Sequence, residues 1–153
     1  MGQRKRENDV LKERDTTTPP PKSDRVDQHL RALHYKAAGK RRQAATTLGK
    51  LGDLRAVEPL INALQDTAFG VRRCAALSLG LLGDRRAVDP LIKVLRDRNK
   101  TVREEAALAL GLLGDPRAIT PLNQTLRDTD EMVRKRAVLA LLLLGEKREE
   151  ALS

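Results

Sequence analysis

From Val71 onward the apolar positions fall at Val71, Ala75, Ala76, Leu79 and Leu82, a stripe spaced for one face of an α-helix. Gly83 and Asp84 break the pattern, and it resumes at Val88, Leu91, Ile92 and Leu95 as a second helical stripe. The spacing predicts a first helix over 71–82, ended by Gly83 in the manner of a left-handed C-terminal glycine. It predicts a second helix over 87–97, with Pro90 near its start, where a missing N–H costs least.

The pattern returns every 31 residues without an insertion. KRRQAATTLGKLGDLRAVEPLINALQDTAFG fills 40–70, VRRCAALSLGLLGDRRAVDPLIKVLRDRNKT fills 71–101 and VREEAALALGLLGDPRAITPLNQTLRDTDEM fills 102–132. A fourth copy from Val133 supplies a first helix over 133–144 but only EEALS where a second should follow. Upstream, VDQHLRAL at 26–33 reads as a second helix without its first, with Val26, Leu30 and Leu33 inward. A unit of this length is a supersecondary element that buries its apolar face only against copies of itself. The prediction is an all-α fold, a right-handed α-solenoid of eight helices over 25–153. Half repeats at 25–39 and 133–153 flank the repeats 40–70, 71–101 and 102–132. Residues 1–24, charge-mixed with TTTPPP at 16–21, read as a disordered, basic, proline-rich tail.

Gly49, Gly80 and Gly111 sit inside first helices, where glycine costs about 1 kcal/mol relative to alanine. Close approach of neighbouring helices is the expected compensation. At the same place the fourth copy has Leu142, where no later repeat packs.

The run LG-x-LGD-x-RAV-x-PL, at 48–60 and 79–91 and with Ala-Ile for Ala-Val at 110–122, resembles the short HEAT-like repeat named after phycobilisome lyase subunits. The resemblance covers about 26–148 and implies the solenoid fold, while leaving function open. It also implies a structural ladder in which Asp66, Asp97 and Asp128 pair with the arginines six residues on, Arg72, Arg103 and Arg134. Arg41 shares that register, but Tyr35 stands where its aspartate would be, so the arginine is expected to lack a partner.

In a solenoid the varied face is the expected binding surface. Here the outer positions of the second helices vary: Asp27, Arg31, His34, Glu58, Asn62, Gln65, Asp89, Lys93, Arg96, Thr120, Gln124 and Arg127. They are expected to line the concave side and bind a protein partner. A second expected docking site is the C-terminal edge. Leu141, Leu142, Leu143 and Leu144 are consecutive, so no rotation of a helix hides them all, and homodimerisation there is one outcome.

Charge adds an alternative. The chain carries +9, yet residues 26–52 hold six Lys or Arg against one Asp. Lys36, Lys40, Arg41 and Arg42 form a candidate phosphate-binding cluster, and with the RKR at 4–6 they suggest a nucleic-acid or ribonucleoprotein-associated module.

Composition argues against most chemistry. Tyr35 and Phe69 are the only aromatics and there is no Trp, which disfavours aromatic-walled pockets and base-stacking platforms. A single cysteine, Cys74, permits no internal disulfide and fits a cytoplasmic location. Arg72 and Arg73 beside it would favour a thiolate, but an incidental half-exposed thiol is the simpler reading. His29 and His34 are five apart and so do not share a helix face as a metal pair would. No His-Glu dipeptide occurs, although related deoxyhypusine hydroxylases build an iron site from them. The start MGQRKRENDV lacks the apolar core of a secretory signal, and Arg6 stands where myristoylation needs Ser or Thr. The apolar run 137–144 is too short to cross a membrane. The expectation is a non-enzymatic scaffold or adaptor with no cofactor, no metal and no catalytic residue. An accessory subunit of a phycobilin-lyase-like complex remains a further alternative.

Overall fold

The computed structural model describes residues 18–152. Within them lie eight α-helices: α1 (Lys22–Ala32), α2 (Ala38–Leu51), α3 (Val57–Ala63), α4 (Phe69–Leu82), α5 (Val88–Val94), α6 (Lys100–Leu113), α7 (Ile119–Thr125) and α8 (Glu131–Leu152). Three single-turn 3-10 segments, Leu54–Ala56, Arg85–Ala87 and Pro116–Ala118, lead into α3, α5 and α7. α1 begins at Lys22, ahead of the boundary expected at 25. The rest of the expected tail, 1–17, lies outside the described residues.

The repeated LGD explains each corner. Gly52, Gly83 and Gly114 adopt φ of 68°, 71° and 69°, a region that side chains disfavour, and close the long helices. The next residue, Asp53, Asp84 or Asp115, accepts the backbone N–H two positions on and so caps the 3-10 turn. The second helices are shorter than 87–97 suggests. At the end of α5 the Leu95 N–H meets both Leu91 O and Ile92 O, Arg96 N–H donates to Lys93 O, and Asp97 N–H donates to Val94 O. The α-helical ladder tightens there into i→i+3 bonds and stops.

α8 departs from the expected 133–144 helix and runs unbroken for 22 residues. Gly145 holds the register of Gly114 but takes no positive φ. Glu146 replaces the capping aspartate, and the longer side chain of a good helix former removes the signal to turn. Beyond the glycine, Lys147 Nζ donates to Leu112 O and so covers an end carbonyl of α6.

Each second helix packs chiefly against the first helix that follows it, giving the pairs α1/α2, α3/α4, α5/α6 and α7/α8. The structural unit is thus offset from the 40–70 frame, and the two half repeats belong to complete hairpins. First helices also pack in a row, α2 on α4 on α6 on α8. The glycines make this possible. A Cβ on Gly80 would stand 2.7 Å from Ala109 Cα, and one on Gly111 would stand 2.7 Å from Ala140 Cα. Gly49 faces Ser78 instead, whose hydroxyl donates to Ala45 O at 2.8 Å. The core lies between the two rows and includes Val26, Leu48, Leu60, Leu79, Leu91, Leu110, Leu122 and Leu144, all essentially inaccessible. Each such leucine contributes about 2 kcal/mol of transfer free energy.

Candidate interaction surfaces

Two rows of charge stitch the hairpins, and they decide which polar residues are free to bind. In the first, Arg41 clamps Asp66 with bonds of 2.7 and 2.9 Å. Arg72 holds Asp97 in the same way at 2.7 and 3.0 Å, and Arg103 holds Asp128 at 2.8 and 2.9 Å. The carboxylate partner is therefore 25 residues away, in the next hairpin, rather than six. The six-residue spacing serves the main chain: Arg72 donates to Asp66 O, Arg103 to Asp97 O and Arg134 to Asp128 O. Arg41, expected to lack a partner, has one, and it also donates to Tyr35 O and Lys36 O.

All three ladder carboxyls are held below the usual range. For Asp66 the bond from Arg41 is the largest influence. For Asp97 and Asp128 desolvation is the largest and pushes upward, but the bonds from Arg72 and Arg103 with the backbone N–H bonds outweigh it. Depressed folded values mean that these groups stabilise the fold above the unfolded carboxyl pKa of about 4, and that this contribution is lost as pH falls through the folded values. The thermal midpoint followed by circular dichroism is expected to stay level from neutral pH to about pH 5 and to fall steeply below about pH 4. A level midpoint through that acid range would show that the ladder carries no stability.

In the second row, Arg55, Arg86 and Arg117 fold back on Asp53, Asp84 and Asp115. They also reach Asp27 at 2.9 Å, Glu58 at 3.5 Å and Asp89 at 3.0 Å on the preceding second helix. Three acidic residues expected to face a partner thus stand in lateral ion pairs. The remaining positions, Arg31, His34, Asn62, Gln65, Lys93, Arg96, Thr120, Gln124 and Arg127, are exposed. Several meet in clefts between successive second helices. One of about 630 Å³ gathers Lys93, Arg96, Gln124 and Arg127, and one of about 210 Å³ holds His34 and Asn62.

Those clefts also overturn the expected curvature. First helices touch along their row closely enough to require glycine, whereas second helices stand apart with clefts between them. In a two-layer stack the more closely spaced layer takes the inside of the bend. The second-helix face is the outer one, and the inner face belongs to α2, α4, α6 and α8.

That inner face carries what the sequence reading missed. Leu77 and Leu81 on α4, Leu108 and Leu112 on α6, and Leu139 and Leu143 on α8 recur in the 31-residue register and are all at least partly accessible. Leu81 is 56% exposed and Leu139 40%. Leu112 and Leu143 lean over the glycine contacts, at 3.4 and 3.3 Å from the Cβ positions of Gly80 and Gly111. On α2 the same register holds Thr46 and Lys50, so the apolar column begins at the second hairpin. Cys74, Glu105 and Arg136 border it one turn earlier. Desolvation raises the Glu105 carboxyl above its usual range despite Arg136 and Arg73 nearby. The signal was in the sequence: leucines that recur from the second hairpin onward but lie off the inward stripe.

The C-terminal edge is only partly open. Leu144 is core, Leu141 and Leu143 are half-buried, and Leu142 is 60% exposed. The basic cluster is likewise reduced. Arg41 is spent on the ladder, and Lys40 Nζ sits 5.5 Å from the Tyr35 ring centroid in a cation–π contact. Lys36, Lys40 and Arg42 remain exposed. Cys74 is half-buried with a free thiol. Among the described residues no group of three or more His, Cys, Asp or Glu is placed to hold a metal. No helix among them is long and apolar enough to cross a membrane.

Stacked helical hairpins joined by an Arg–Asp ladder define an α-solenoid. The model of HEAT repeats matches residues 29–99 and 88–153, and the chain belongs to the HEAT-repeat family. No curated protein sequence matches it. Among solved structures, human deoxyhypusine hydroxylase in complex with glycerol is similar at 29% identity and TM-score 0.72, covering 85% of this chain and 46% of that one. The chain thus spans less than half of that protein. An engineered protein is similar at 24% identity and TM-score 0.64, covering 78% of this chain and 62% of the other. The complex of CpcE and CpcF of phycocyanin lyase from Nostoc sp. PCC7120 is similar at 24% identity and TM-score 0.60, covering 90% and 70%. The last two similarities speak to fold alone.

Proposed function

We propose that this protein is a non-enzymatic interaction scaffold that binds a protein partner on its inner, first-helix face. The observation that carries the reading is the leucine column across α4, α6 and α8. A contiguous apolar strip with charged borders marks an interaction site on a protein surface. The column favours an amphipathic helix or an extended segment that inserts apolar side chains between the leucines. Arg73 and Arg136 beside Glu105 supply polar groups for the rim of such an interface.

The outer clefts are the natural comparison, because the two faces can be mutated separately. Leu81→Asp with Leu112→Asp is expected to abolish recovery of a stoichiometric partner from native cells, with the helical signal retained. Lys93→Ala with Arg127→Ala is expected to leave recovery intact. The opposite pattern would move the binding site to the outer face. Loss of the partner on nuclease treatment would replace this reading with a nucleic-acid one.

A further inference from the structure

The outer face carries positive charge that nothing on it balances, and that charge is local. The carboxylates lining the clefts between second helices are already matched: Asp66 by Arg41, Asp97 by Arg72 and Asp128 by Arg103. Asp89, near the start of α5, is held by Arg117. The cations among them are not matched. Lys93 on α5, with Arg96 and Arg127 in the closing turns of α5 and α7, are exposed and make no hydrogen bond or ion pair among the described residues. All three line the cleft of about 630 Å³ between α5 and α7. Lys93 and Arg96 also line the neighbouring cleft of about 580 Å³, where Arg98 adds a further exposed cation. The ladder recurs with every hairpin, but this charge does not. The cleft of about 210 Å³ beside His34 and Asn62 has no lysine or arginine in its lining. Nor is the largest cleft purely polar: Ile92 and Pro121 are part-exposed in its lining, and Leu95 and Thr125 are buried.

We propose that the α5/α7 cleft binds a short acidic segment of a protein partner, one that mixes carboxylate with apolar side chains. Uncompensated cations on the walls favour carboxylates, and the guanidinium groups of Arg96 and Arg127 are shaped to meet a carboxylate with two parallel bonds. Asp128, the one carboxylate in that lining, already has its charge paired by Arg103, so an incoming anion meets net attraction. Ile92 and Pro121 favour a segment that also carries apolar groups, which a phosphodiester backbone lacks. Nucleic acid is disfavoured on two further counts. No aromatic side chain lines either cleft for a base to stack on. The row of cations is also interrupted around α3, where Asn62, Gln65 and Thr67 are neutral, so it forms no continuous track for phosphates. The cleft shares no residue with the inner leucine column, so either site can fail without the other.

The probe is a fluorescein-labelled twelve-residue peptide of glutamate and leucine, titrated with the full chain and followed by fluorescence anisotropy. Saturable binding is expected at 50 mM salt, with affinity about 10-fold weaker at 300 mM. Arg96→Glu with Arg127→Glu should weaken it at least about 30-fold, with circular dichroism unchanged because both side chains are exposed. Arg31→Glu with Lys50→Glu alters the net charge equally but away from the cleft, and should weaken it less than about 3-fold. Leu81→Asp with Leu112→Asp should likewise stay within about 3-fold, which separates this site from the inner face. No saturable binding at 1 mM protein would overturn the proposal. Equal losses in the two charge-reversal variants would also overturn it, by showing attraction to net charge alone. A labelled oligothymidylate of the same length that binds more tightly than the peptide, and is lost with Arg96 and Arg127, would replace the acidic segment with nucleic acid. A peptide of glutamate and glutamine that binds as tightly as the leucine one would overturn the apolar part of the recognition.

Discussion

Gly80→Leu is expected to destabilise the stack by about 3 kcal/mol, which lowers the thermal midpoint by roughly 10 °C for a chain of this size. Helix propensity argues the other way, since leucine in a helix interior is better than glycine by nearly 1 kcal/mol. Contact geometry decides the sign. The first atom beyond Cα would lie 2.7 Å from Ala109 Cα and 2.9 Å from Ala109 Cβ. Those atoms belong to a neighbouring helix and cannot rotate away, so α4 and α6 must separate along their length. Separation also unseats Leu112, whose methyl lies 3.4 Å from the same point. Gly39→Ala is the matched control. It lies in the first turn of α2, and a Cβ there meets nothing within 4 Å. That variant should gain a few tenths to about 1 kcal/mol from propensity alone. Thermal melts of the two side by side separate the effects. Equal midpoints would mean that glycine at 80 is not there for close approach.

The glycine argument was legible because it depends only on period and propensity. A costly residue that returns every 31 positions at one helical register must face something that also returns, and Ser78, Ala109 and Ala140 do. The hydrophobic stripes were legible for the same reason, and Val88, Leu91 and Leu95 are all buried. The grouping of helices was not. A period fixes the length of a unit but does not say whether α3 packs mainly on α2 or on α4. Curvature was out of reach as well, because it arises from unequal spacing of two layers, a difference no single helix encodes. The Leu77–Leu81 column lies off the inward stripe of Val71, Ala75, Ala76, Leu79 and Leu82, so that stripe did not mark it. Its recurrence off the inward stripe was the available signal. α8 outran its expected end through one atom group: glutamate at 146 cannot cap as aspartate does at 115.

Arg72→Ala is expected to cost about 4 kcal/mol, because it leaves a carboxylate in a site built for a pair. Arg72 is 6% exposed and holds Asp97 with two bonds while donating to Asp66 O and Thr67 O. Its removal leaves Asp97, whose side chain is 11% exposed, with the Asn99 N–H as its remaining hydrogen bond and the charges of Arg98 and Arg103 nearby, and uncovers two carbonyls. Arg134 occupies the same register in the fourth copy, yet donates only to Asp128 O and Thr129 O and is half-buried. Arg134→Ala therefore removes main-chain bonds without stranding a charge and should cost about 1 kcal/mol. Adding Asp97→Asn to Arg72→Ala keeps an acceptor for the Asn99 N–H and removes the stranded charge, so the double variant should recover a large part of the loss. Urea unfolding of the four proteins measures the set. Similar losses at 72 and 134 would mean that the carbonyl bonds, and not the carboxylate 25 residues on, are what join one hairpin to the next. The expected inequality assigns that role to the charge pair, and it explains why the pair is repeated with every hairpin while the exposed face beside it varies.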